Sequence, residues 1–164
     1  MNKYIRKPYI PLYSEMPKPK DKDIFIFGSK ETKKNGSDTA QLAMSRYIGN
    51  CGITPEQAAA ILGIGRTTLY NYLADTRELT YSMLCVICIG LKLHPDRQRH
   101  LFHLCHIERP DREYGTDPRD LIIIEYLEEC AFDNAYSLEA CNKALKDGKQ
   151  KMLHPYCLGT EDRK

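Results

Sequence analysis

At 164 residues, with 42% hydrophobic and 28% charged residues, the chain can bury one ordinary core, which points to one domain plus extensions. No run approaches the roughly 20 apolar residues of a membrane-spanning helix, the longest candidate being Met83 to Leu91, so no membrane partner is expected. A net charge of +2 is too small to nominate a polyanionic partner by itself.

The chain opens on an expected arm and linker, residues 1–37. Its prolines (Pro8, Pro11, Pro17, Pro19) and a Lys-rich stretch argue against a helix and for an extended conformation. Two β-prone runs, Tyr9–Tyr13 and Asp23–Phe27, are spaced for a small β-hairpin, though an isolated hairpin needs a supporting surface. Residues 1–38 carry nine Lys/Arg against five Asp/Glu, whereas residues 108–164 carry nine against thirteen, so only the front of the molecule is suited to face an anion. The basic residues before Pro19 are not followed by an apolar segment with a cleavage site, so no secretory signal is expected and the cytoplasm is the expected location.

From Asp38 the period becomes helical. Leu42, Ala43, Arg46, Tyr47 and Ile48 mark the stripe of a first helix, capped by Asp38 or Thr39 and stopped near Gly49-Asn50. Thr54-Pro55-Glu56-Gln57 combines an N-cap hydroxyl, a proline at the first helical position, an acid near the positive dipole end and a capping-box glutamine. That second helix breaks at Gly63-Ile64-Gly65, and a third runs from Arg66 to Ala74 with Leu69, Tyr72 and Leu73 inward. Thr80 caps an apolar fourth helix, Pro95 opens a fifth, Asp117-Pro118 a sixth and Ser137 a seventh. The sixth is apolar on more than one side, and Ile122, Ile123 and Tyr126 are its candidate contacts to a twin subunit. The expected boundaries are a reader domain at 38–107, a helical extension at 108–153 and a mobile tail at 154–164.

With its apolar side inward, the third helix turns Arg66, Thr67, Tyr70, Asn71 and Ala74 outward, with Thr68 on the flank. These types suit base edges: arginine forks onto guanine O6 and N7, asparagine pairs adenine N6 and N7, and a threonine methyl meets a thymine methyl. Phosphate contacts are expected from the head of the second helix at Thr54 and Gln57, and from Arg46, Arg77 and the arm lysines Lys18, Lys20, Lys22, Lys33 and Lys34.

The run Thr54-Pro-Glu-Gln-Ala-Ala-Ala-Ile-Leu-Gly-Ile-Gly-Arg-Thr-Thr-Leu-Tyr-Asn-Tyr-Leu73 resembles the helix-turn-helix of lambda-repressor-like (Cro-type, XRE family) bacterial transcription regulators. The likeness covers about residues 39 to 107 and rests on the cap, Ala59, Leu62-Gly63-Ile64 and the anchors Leu69 and Tyr72. It implies a mainly α, five-helix DNA-binding domain, recognition of double-stranded DNA as a homodimer, and transcription regulation. Two departures stand out: Pro55 occupies the place of a glutamine that often touches DNA, and the loop after the third helix reads Asp75-Thr76-Arg77-Glu78 rather than glycine and basic residues. An alternative is a protein-interaction or antitoxin-like adaptor on the same scaffold without DNA binding.

Other chemistries fit less well. Cys85-Val-Ile-Cys88 with His100, His103 and His106 holds pieces of a zinc pattern, but both cysteines fall inside a continuous apolar helix. The seven cysteines read as reduced core thiols. Gly63-Ile-Gly65 lacks the strand and lysine of a phosphate loop, and no nucleophile elbow or His-Glu-x-x-His occurs. Neither an enzyme, a cofactor, a metal nor a small-molecule substrate is expected.

Overall fold

The computed structural model describes residues 9–15, 38–113, 115 and 117–153. These residues form seven α-helices and no strand. They are α1 (Ala40–Asn50), α2 (Pro55–Leu62), α3 (Arg66–Leu73), α4 (Tyr81–Gly90), α5 (Pro95–Leu104), α6 (Pro118–Glu129) and α7 (Leu138–Asp147), preceded by a 3-10 turn at Tyr13–Glu15. The second β-prone run, the arm lysines and the tail 154–164 lie outside the described residues.

The helix starts follow from short-range chemistry. Thr39, Thr54, Thr80 and Ser137 each accept an early backbone N–H through the side-chain oxygen, and Pro55, Pro95 and Pro118 each occupy a first-turn position whose N–H has no helical partner. His94 caps α5 in the same manner, its Nδ1 accepting from Asp96 N at 3.2 Å. Four of the helix ends are less usual. Asp75, Lys92, His106 and Lys149 take positive φ, between 52° and 58°, where glycine would be unstrained. At each of them the next residue's N–H closes back on the helix, as in Leu93 N to Cys88 O at 3.0 Å.

α4 is the axis of the molecule. Met83 through Ile89 are all buried, and α2, α5, α6 and α7 pack around it. A helix with no polar side is stable only when neighbours cover it on every face. α2 approaches so closely that a Cβ built on Gly90 would lie 2.6 Å from Leu62 Cδ2. One apolar cluster runs from Ile10 through α1–α5 and on to Leu127, Leu145 and Leu153, so the expected boundary at 107/108 does not divide the core.

Several details of the sequence reading are corrected. Leu42 is 56% exposed, and Ala40 and Met44 join Ala43, Tyr47 and Ile48 on the buried side of α1 instead. The run from Tyr9 is not a strand but a strap. Ile10 is buried, Tyr13 N donates to Ala131 O at 2.7 Å, and the Tyr13 ring lies 4.5 Å from that of His94 and 6.2 Å from that of Phe132. Lys92 fastens this strap, its Nζ donating to Ile10 O at 3.2 Å and to Asn134 Oδ1 at 2.6 Å.

The buried amide of Gln98 is matched. Gln98 Nε2 donates to Leu93 O and Leu127 O at 2.7 and 2.6 Å, while its Oε1 accepts from Arg109. At the start of α1, Asp38 is held by Arg46 and faces His100 Nε2 at 3.2 Å, and Tyr47 Oη lies 2.7 Å from His100 Nδ1. Ionised Asp38 requires the hydrogen on Nε2, and in the neutral ring the tyrosine then donates to Nδ1. Burial pushes the His100 pKa down, which favours that neutral form.

Candidate nucleic-acid interface

α2 and α3 meet at a tight turn. Gly63 adopts φ 68° and ψ 27°, and Ile64 N returns to Ala59 O at 3.1 Å, a closure that side-chain-bearing residues reach only with strain. Leu69 and Tyr72 are buried beneath α3, whose packing partners are α1 and α2. The opposite face is open: Arg66, Thr67, Tyr70, Asn71 and Ala74 are exposed, and Thr68 is half-buried on the flank. Leu73 is half-buried as well, at the edge of the inward side. The structure thus gathers the expected base-reading residues on one surface.

Their contacts refine what each can do. Asn71 Oδ1 receives the Thr76 hydroxyl at 3.3 Å, and because an amide oxygen has two acceptor sites, pairing with an adenine edge remains open to it. Tyr70 donates to Glu56 Oε1 at 2.8 Å, and Arg66 Nε lies 4.0 Å from the same oxygen. The Tyr70 bond holds the Glu56 carboxyl below its ordinary pKa and raises that of the phenol. Gln41 Nε2 donates to Asp75 Oδ1 at 2.9 Å, tying the start of α1 to the end of α3.

The expected phosphate contacts divide. Thr54 and Gln57 are exposed, but they close a full capping box: Gln57 N donates to Thr54 Oγ1 at 3.2 Å and Thr54 N to Gln57 Oε1 at 2.9 Å. Pro55 has no N–H, so most of the donors that would greet an anion at this helix head are already used. Arg46 is spent on Asp38 in a two-pronged pair of 3.1 and 2.7 Å. Arg77 remains exposed, its guanidinium 5.4 Å from the centre of the Tyr72 ring.

At the other expected interface, Ile123 is fully buried in the chain's own core and has no surface to offer a twin subunit. Ile122 and Tyr126 are half-buried, Tyr126 packing edge-on against Tyr136, while Leu121 is 46% exposed. The α4 cysteines Cys85 and Cys88 have no exposed surface, and burial pushes the Cys85 thiol up to about 12. Among the described residues no group of three or more His, Cys, Asp or Glu is arranged to hold a metal ion. No helix of the described residues is long and apolar enough to cross a membrane.

Glu56 and Asp75 are the contributors that sequence reasoning missed. Glu56 was legible only as a helix-dipole acid, and its reach to α3 depends on the angle that the Gly63 turn imposes. Comparison with protein-family models, curated proteins and solved structures gives no match.

Proposed function

We propose that this protein is a sequence-specific DNA-binding transcription regulator of the lambda-repressor-like type, its α1–α5 forming the five-helix reader and α3 entering the major groove. The observation that carries the reading is the open face of α3, where Arg66, Thr67, Tyr70 and Asn71 stand together above the buried anchors Leu69 and Tyr72. Arg66 would fork onto a guanine edge and Asn71 pair an adenine, each contributing about 1–3 kcal/mol of discrimination. One eight-residue reading helix offers few base contacts, which favours two copies on paired half-sites. In such a pair Leu121, Ile122 and Tyr126 of α6 are the available apolar contacts.

Selection from a random duplex library tests this reading. Enrichment of a motif by the native protein, relaxed at the contacted position by Arg66→Ala or Asn71→Ala, is the expected outcome, and enrichment of none overturns it.

A second reading, a protein-interaction module without DNA binding, is favoured by the self-satisfied head of α2 and by Glu56, Asp75 and Glu78 standing beside Arg66 and Arg77. The two differ in salt response. Binding to a duplex weakens steeply as salt rises, whereas an apolar protein contact changes little.

A further inference from the structure

Glu56 occupies a place where its negative charge works against the affinity of a DNA reader for the phosphate backbone. Its position in the first turn of α2 explains an acid there, since a carboxylate suits the positive end of the helix. It does not explain why that carboxylate reaches across the turn, accepts the Tyr70 hydroxyl at 2.8 Å and lies 4.0 Å from Arg66 Nε. Glu56 thereby touches two of the exposed groups on the α3 face.

Two physical effects follow, of opposite sign. A carboxylate beside the approach path of a duplex repels phosphates whatever the sequence, lowering general affinity. The same carboxylate lies within ion-pair reach of the Arg66 head, a long side chain whose ordering costs free energy at the moment of binding, and attracts it toward the side on which Tyr70 is hydrogen-bonded. General attraction to nucleic acid is reduced while the directed contact is prepared.

We propose that Glu56 is a specificity filter: a positioning residue that sets Arg66 and Tyr70 for contact with base edges and, by its charge, discourages sequence-independent association with the phosphate backbone. The inference rests on the DNA-reading function proposed above.

The test compares the native protein with Glu56→Gln, Glu56→Asp, Arg66→Ala and the double variant Glu56→Gln/Arg66→Ala. Each is titrated by fluorescence anisotropy against the selected duplex and a scrambled duplex at one salt concentration, and each is melted. Glu56→Gln keeps an acceptor for Tyr70 and removes the charge; its affinity for the scrambled duplex rises several-fold, and the ratio of specific to non-specific affinity falls about tenfold. Glu56→Asp retains the charge but loses the reach, so its scrambled-duplex affinity stays at the native level while the ratio falls. In the Arg66→Ala background, Glu56→Gln lowers the ratio no further.

An unchanged ratio in Glu56→Gln overturns the proposal, whether or not the melting temperature moves; a lower melting temperature alone assigns Glu56 to capping α2. A further fall in the ratio without Arg66 overturns it too, because Glu56 would then not act through that arginine. These outcomes presuppose an enriched motif; if the library yields none, the DNA-reading function itself falls and the filter falls with it.

Discussion

α3 and α6 are both short surface helices whose residues suggested contact with another molecule, and the structure treats them in opposite ways. On α3 the apolar positions Leu69 and Tyr72 go inward, and the polar face is left open. On α6 the apolar residues Ile123, Ile124 and Leu127 are consumed by the chain's own interior, leaving Leu121 outside and Ile122 and Tyr126 at the margin. Outward polar residues of α3 are visible in the sequence because the core takes none of them, their partners Glu56 and Thr76 being exposed themselves. Apolar residues of α6 carry no label saying which neighbour they serve, and α4, buried along its length, recruits them first.

The largest expected effect separates the two helices directly. Ile123→Ala should cost about 2–5 kcal/mol in urea unfolding, since it opens a cavity in a fully packed site. Arg66→Ala and Asn71→Ala should stay within about 0.5 kcal/mol of the native protein while weakening the proposed duplex recognition. Equal losses from α3 and α6 would break the contrast.

Next in size, Gly90→Ala should destabilise by about 1–3 kcal/mol, because its methyl group would press on Leu62, itself fully buried under α2. Measuring it checks whether α4 and α2 are as tightly apposed as the geometry indicates.

Acid should act first through His100 at the α1–α5 contact and His94 beside the Tyr13 ring. Burial holds the pKa values of His100 and His94 low in the fold, so the unfolded chain binds these protons more readily. Stability is therefore full above about pH 6.5 and declines as pH falls through that value. Burial opposes the charge of Asp38, but the hydrogen bond and charge of Arg46 outweigh it and keep its carboxyl low, adding a further decline below about pH 3.9. Urea midpoints at about pH 7.5 and about pH 5.5 should converge in His100→Gln relative to the native protein, and should not converge in Asn71→Ala.

The smallest effect concerns the strained helix ends. Lys149→Gly should stabilise by about 0.5–1 kcal/mol, the relief of positive φ outweighing the entropy that glycine loses. Lys92→Gly should gain nothing, since it also releases the bonds to Ile10 O and Asn134. A thermal melt of the two variants side by side decides this.

How much was legible follows the range of the interactions involved. The helix starts were readable because Thr39, Thr54, Thr80, Ser137 and the three first-turn prolines act within four residues. The outward face of α3 followed from a period anchored by Leu69 and Tyr72. Leu42 was misplaced because its apolar character was weighed above its phase: Ala40, Ala43, Met44, Tyr47 and Ile48 keep the i, i+3, i+4, i+7, i+8 spacing, and Leu42 falls on the opposite side. The role of Arg46 was misread because Asp38, eight residues earlier, takes its guanidinium from outside the first turn of α1, beyond the reach of a capping pattern, while His100 of α5 faces the same carboxylate. The Tyr9 strap was hidden for the same reason: its partners are Lys92, His94 and Ala131.

The girdle around α4 also bears on how the protein emerges during synthesis. A ribosome that has delivered α1 to α5 holds an oily rod with part of its sheath still unmade, since α6 and α7 have yet to arrive. A message cut short after residue 107 should therefore yield a sticky fragment that chaperones and proteases remove, not a smaller folded protein.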